Sequence, residues 1–167
     1  VGNQRTAILL IDFLDSGARP FTKEEAHNLI FNGQFQKFYQ EQSYNQVSFN
    51  GDVFGWHRLN RNGEGIVCSA ESQSEFERII NDNNINLGNY DRLVILINPG
   101  GGGCSYVGKN DVNVADTVYR ISRAWVGLDS FNQPSWWGEQ PFSWTNLDFV
   151  MSHELGHSLG LPHANGW

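Results

Sequence analysis

Residues 151–167 read MSHELGHSLGLPHANGW, and three of the chain's five histidines fall in this one stretch. On a helix, residues four apart stand one above the other, so His153 and His157 can offer ring nitrogens to a single metal ion at about 2.0–2.1 Å. Glu154 lies beside that pair and can reach water at the metal without being a ligand. Gly160 follows His157 by three, where a helix commonly ends in the left-handed conformation that glycine adopts without penalty. Pro162 keeps the helix from resuming, so the chain can double back and bring His163 as a third nitrogen. Every fixed position of H-E-x-x-H-x-x-G-x-x-H is filled, each with a mechanical reason. The competing reading, a histidine-rich helix end without metal, leaves that spacing to coincidence. His27 and His57 match no pattern and read as ordinary surface or half-buried residues.

Three protein ligands leave a fourth position to water, the open arrangement of a catalytic zinc rather than a closed structural one. Such a zinc lowers the pKa of its water to roughly 7 and polarises a carbonyl. Glu154 then fits the role of general base, taking the proton of the attacking water and passing it to a leaving amine.

Upstream of this segment, TAILLIDF (6–13) is an apolar run that reads as a buried strand. In TKEEAHNLIFNGQFQKFYQEQSYN (22–45), Thr22 and Glu25 form a capping box. Leu29, Ile30, Phe35, Phe38 and Tyr39 give helical spacing, interrupted near Gly33. QVSFNGDVFGWHRL (46–59) alternates around Asn50-Gly51, which predicts a two-residue hairpin. AESQSEFERIINDNN (70–84) predicts an amphipathic helix behind Ser69 as its cap. YDRLVILINPGGGGCSYVG (90–108) is a strand over 93–97 running into a glycine-rich turn. That turn lacks the Gly-Lys-Ser/Thr step and the helix start of a phosphate loop. YRISRAWVGLD (119–129) reads as a further strand and SWTNLDFVMSHELGHSLG (143–160) as the helix that carries the histidines. Strands alternating with helices predict an α/β (α+β) layer structure.

Length and composition suit one domain with a real core: 167 residues, 40% apolar, with six Trp and eleven Phe to fill it. The net charge of −7, with Lys and Arg scattered, argues against a nucleic-acid partner, whose phosphates need clustered positive charge. No run of about 18 apolar residues predicts a membrane span. The start, VGNQRTAILLIDF, has none of the sections of a signal peptide, so an export signal is expected to have been removed or to lie upstream. Cys68 and Cys104 form no C-x-x-C pair, which leaves two buried thiols or, in an exported protein, one disulfide.

The zinc segment resembles that of the metzincins, zinc endopeptidases named for this extended motif and a following Met-turn. HELGHSLGLPHA together with FYQEQSYNQVSFNGDVFGWHRL (38–59) resembles the gametolysin-type metallopeptidases in particular, and more distantly the immune-inhibitor-A-type ones. The resemblance implies a zincin-like N-terminal subdomain, a twisted mixed sheet whose active-site helix carries the motif. It also implies a secreted protease acting on extracellular or cell-wall glycoproteins, with His153, His157 and His163 on zinc and Glu154 as base. One feature departs from that pattern. The single methionine, Met151, precedes the first ligand and cannot form a Met-turn. Residues 1–167 are therefore expected to be the N-terminal part of a longer catalytic domain, inactive alone if the floor under the zinc is missing.

A protease must hold an extended peptide across its metal, most simply by pairing it with an exposed sheet edge. The last strand-like segment before the zinc helix, 119–127, occupies the chain position of the metzincin edge strand. Substrate is accordingly expected on the backbone of Arg123, Ala124, Trp125 and Val126, the opposing reading being an interior strand. The partner implied is a protein or peptide. A zinc-binding but inactive adhesion domain, a hydrolase of another amide, and a carbohydrate-binding surface using Trp136 and Trp137 in PSWWGEQPFSW (134–144) are the alternatives.

Overall fold

The computed structural model describes residues 2–63, 70–98, 103–128 and 144–161. Strand β1 (Gly2–Phe13) is followed by helices α1 (Lys23–Asn32) and α2 (Gln34–Gln42), then β2 (Val47–Leu59), α3 (Ala70–Asp82) and β3 (Arg92–Asn98). Three further strands, β4 (Gly103–Ser105), β5 (Asn110–Val114) and β6 (Thr117–Gly127), precede the last helix, α4 (Trp144–Ser158). The sheet runs β2-β1-β3-β6-β4, with β5 also paired to β6. The pairs β1–β2, β1–β3 and β3–β6 are parallel, and β4 and β5 run antiparallel to β6. The chain is thus mixed α/β around one mixed, open sheet, as the alternation of elements predicted.

The period of two in β1 divides the core. Ala7, Leu9, Ile11 and Phe13 face α3 together with Phe76, Ile80, Ile95 and Trp125. Ile8 and Leu10 face the other way, against Ala26, Ile30, Phe35, Tyr39, Leu96, Met151 and Leu155 from α1, α2, β3 and α4. A strand covered on both faces is apolar throughout, which is why TAILLIDF carries no polar alternation. Each fully buried aliphatic or Met side chain contributes roughly 2 kcal/mol of transfer free energy. Packing of Leu147, Met151 and Leu155 therefore holds α4 to the sheet more strongly than any cap could.

The first helical region follows its sequence. The Thr22 side chain accepts from the Glu25 N–H at 3.2 Å and the Glu25 carboxylate accepts from the Thr22 N–H at 2.7 Å, the reciprocal capping box. The helix breaks at Gly33, where an added Cβ would meet the Leu29 carbonyl oxygen at 2.1 Å.

The hairpin at Asn50-Gly51 does not form. Both residues lie inside β2, opposite Arg5 and Thr6 of β1 in a parallel ladder. Gly51 is there because the strands approach closely: its φ is +151°, and a Cβ would stand 1.9 Å from the Thr6 carbonyl oxygen. The same residue type serves a tight turn or a close strand approach, and local sequence does not separate the two. A bulge farther along sets Gly55 and Trp56 against Leu10 alone. Ser69, the cap expected for α3, and the glycine-rich residues 99–102 lie outside the described residues.

Candidate metal centre

Helix α4 presents three faces. Leu147, Met151, Leu155 and Ser158 are buried, and His153 is exposed, with His157 half-buried beside it. At about 100° per residue, Glu154 falls between the histidine face and the packed face. It is 7% exposed. One flank of α4 meets α2, where the Tyr39 hydroxyl donates to the Ser152 carbonyl at 2.7 Å. The same 100° step turns Glu154 away from that flank, and α4 also packs on β6 and β4.

The helix ends as a Schellman turn. Gly160 has φ +97°, its N–H donates to the His157 carbonyl at 2.8 Å, and the Leu161 N–H donates to the Gly156 carbonyl at 3.0 Å. The turn also serves His157. The Leu161 carbonyl oxygen lies 2.7 Å from His157 Nδ1. A carbonyl can only accept, so the neutral ring carries its proton on Nδ1 and leaves the lone pair on Nε2. An outer partner of this kind fixes ring orientation and tautomer for a metal-ligating histidine.

The two Nε2 atoms stand 3.2 Å apart with the rings nearly perpendicular, at 86°. Two nitrogens on one tetrahedral ion at 2.0–2.1 Å are separated by about 3.3 Å. The separation of the His153 and His157 Nε2 atoms is thus close to that of two nitrogens on one such ion, and it is equally a ring-to-ring hydrogen-bond distance. Among the described residues no group of three His, Cys, Asp or Glu side chains could hold a metal. The third expected nitrogen, His163, lies outside the described residues, as does the Pro162 that precedes it.

The expected substrate strand is corrected. β6 is interior: Leu93, Val94, Ile95 and Leu96 of β3 pair with Arg123, Ala124, Trp125 and Val126 on one side. On the other side Ser105, Cys104 and Gly103 of β4 pair with Ala124, Trp125 and Val126. The Tyr106 N–H also reaches the Arg123 carbonyl, at 3.4 Å. Ala124 and Val126 are fully buried and Trp125 packs edge-on against Phe76 at 5.3 Å. That burial on both faces is the mark of an interior strand, and the run SRAWV already carried it. Among the described residues the outer edge on this side belongs to β4, three residues long and hidden in the sequence behind its glycines.

Cys104, in β4, is disulfide-bonded; Cys68, the partner expected for it, lies outside the described residues. Trp136 and Trp137 lie outside them too. His27 is exposed and His57 half-buried. Sequence reading missed three residues that act on α4: the Leu161 carbonyl, Tyr39 and Arg92. Gly160 was the available signal for the first, and an arginine opening an apolar strand for the last.

Among the described residues no helix is long and apolar enough to cross a membrane. Compared with known proteins, the chain matches no family model and no curated protein.

Proposed function

We propose that the chain is the zinc-bearing part of a secreted metalloendopeptidase of zincin type, in which His153, His157 and His163 hold the metal. The observation that carries this reading is the 3.2 Å approach of two Nε2 atoms whose tautomer is set at His157 by the Leu161 carbonyl. When bound, zinc supplies Lewis acidity, making water acidic near neutral pH and polarising a peptide carbonyl. Glu154 flanks the histidine pair. There its carboxylate takes a proton from the attacking water and delivers it to the amine of the broken peptide bond. The substrate chain lies extended beside β4, which among the described residues is the outermost strand on this side of the sheet, in place of the β6 edge first expected.

The alternative, a metal-binding adhesion domain without hydrolytic activity, has no use for a carboxylate at position 154. An internally quenched peptide, incubated with the zinc-loaded full-length protein rather than with residues 1–167 alone, separates the two. Hydrolysis that a chelator stops, and that Glu154→Gln loses with zinc still bound, supports the protease. Equal cleavage by Glu154→Gln removes the proposed base, and no cleavage by the parent favours the binding domain.

A further inference from the structure

Arg92 is a buried cation with an uncommon set of partners. It opens β3, which is apolar from Leu93 to Ile97, and is 7% exposed. Its Nη1 donates to Ser122 Oγ at 3.0 Å and to Ser158 Oγ at 2.9 Å. Its Nε and Nη2 donate to Gln4 Oε1 at 3.2 and 2.8 Å. One planar fork thus joins β1, β6 and the last turn of α4. The neighbouring carboxylate, Asp91, faces Arg5 at 3.4 Å. Among the described residues no carboxylate forms an ion pair with Arg92 itself. A guanidinium is costly to bury, and the attraction of Asp91, which makes no ion pair with Arg92, offsets only part of that cost, so a further reason is called for. The end of a helix supplies one, since the partial negative charge of a C-terminus favours a cation close by.

His157 sits in that last turn, one residue before Ser158. Terminal turns fray more readily than helix interiors, whereas a metal ligand must hold its nitrogen to within a fraction of an ångström. Ser158 Oγ accepts from Arg92 and also donates to the Leu155 carbonyl at 3.0 Å, so the contact reaches the helix backbone. The Leu161 carbonyl secures the ring from the solvent side, and Arg92 secures the turn from the sheet side.

We propose that Arg92 is a positioning residue for the metal centre, its guanidinium registering the last turn of α4, and with it the His157 ring, against β1 and β6. The proposal rests on the metal-centre reading given above. The probe is Co²⁺ alone, titrated into the full chain and read by its visible absorption bands, which report ligand geometry. Ser158→Ala, which removes the contact of Arg92 with α4 together with the Ser158 hydrogen bond to the Leu155 carbonyl, and Arg92→Lys, which removes the fork and keeps Ser158, are each expected to weaken Co²⁺ binding about tenfold or more and to alter the bands. Ile80→Val, a mild truncation in the core on the α3 side, serves as control and keeps the parent's affinity and spectrum at a comparable loss of Tm. Parent-like affinity and bands in Ser158→Ala and in folded Arg92→Lys overturn the proposal; if Arg92→Lys does not fold, Ser158→Ala decides alone. A parent that takes up no Co²⁺ overturns the metal centre and the positioning role together. A parent that binds Co²⁺ but cleaves no peptide sinks only the protease reading, while the tenfold losses still support positioning.

Discussion

His157 Nδ1 and the Leu161 carbonyl oxygen lie 2.7 Å apart, and the Schellman turn at Gly160 brings them together. Helix termination and ligand orientation are therefore one piece of geometry. Gly160 has φ +97°, a conformation that L side chains rarely adopt, although the space around its missing Cβ is open. Gly160→Ala is expected to destabilise the chain by about 1–2 kcal/mol through backbone strain alone. It should also weaken Zn²⁺ binding, because the Leu161 carbonyl leaves its place. Urea unfolding of the metal-free chain and chelator competition measure the two effects separately; an unchanged zinc affinity would show that the carbonyl does not matter.

Gly156, four residues earlier, behaves oppositely. A Cβ there would meet Leu161 Cδ1 at 3.8 Å and the Tyr39 hydroxyl at 3.9 Å, ordinary contact distances. Gly156→Ala should stabilise α4 by about 0.5–1 kcal/mol, since alanine loses less chain entropy in a helix. Thermal unfolding of the metal-free protein should show a higher Tm. A lower one would mean that Leu161 or Tyr39 cannot yield even slightly.

Tyr39 holds the preceding turn of the same helix through its hydrogen bond to the Ser152 carbonyl. Burial raises the pKa of its phenol, so the hydroxyl stays a donor across the working range. Tyr39→Phe should cost about 1 kcal/mol in urea unfolding, the worth of one partly buried hydrogen bond. A variant as stable as the parent would assign that energy to ring packing against Phe35 and Phe49 instead.

How much of this was legible beforehand follows from the range of the interactions. Thr22 and Glu25 cap α1 through contacts three residues apart, and the turn at Gly160 ends α4 through contacts three and five apart; local sequence holds both. The strand character of residues 6–13 and 93–97 followed from their apolar runs. Asn50-Gly51 misled because its glycine answers to Thr6, on another strand. The edge position misled because β4, a three-residue strand emerging from a glycine run, displaces β6 from the rim. Arg92 reads as an ordinary strand-start residue until Gln4, Ser122 and Ser158 gather around it.

At the carboxyl end of β1, Asp12 is wholly buried between Arg58, at 2.9 Å, and Arg19, at 2.8 Å. Burial alone would push its carboxyl pKa up. The hydrogen bonds and charges of Arg58 and Arg19 outweigh that and hold it below the ordinary carboxylate value. A lowered folded-state pKa means stability that is present above the unfolded value, about 3.9, and is lost as pH falls through the folded one. Asp12→Asn should cost about 2 kcal/mol at pH 7, less than a fully buried pair because both arginines are half exposed. Urea unfolding from pH 7 to pH 2 should find this difference shrinking only below about pH 4. A gap that is constant down to pH 2 would remove the ion triad from the acid response.

The ligand set itself is open to direct observation by X-ray absorption at the zinc edge, on the full chain loaded with one equivalent of Zn²⁺. A centre built on His153, His157 and His163 gives nitrogen or oxygen neighbours at about 2.0–2.1 Å, with outer-shell scattering from three imidazole rings and no sulfur. In His157→Ala the zinc is lost or the three-ring pattern collapses. Zinc that fails to bind, or that shows the same scattering with and without His157, contradicts the metal centre.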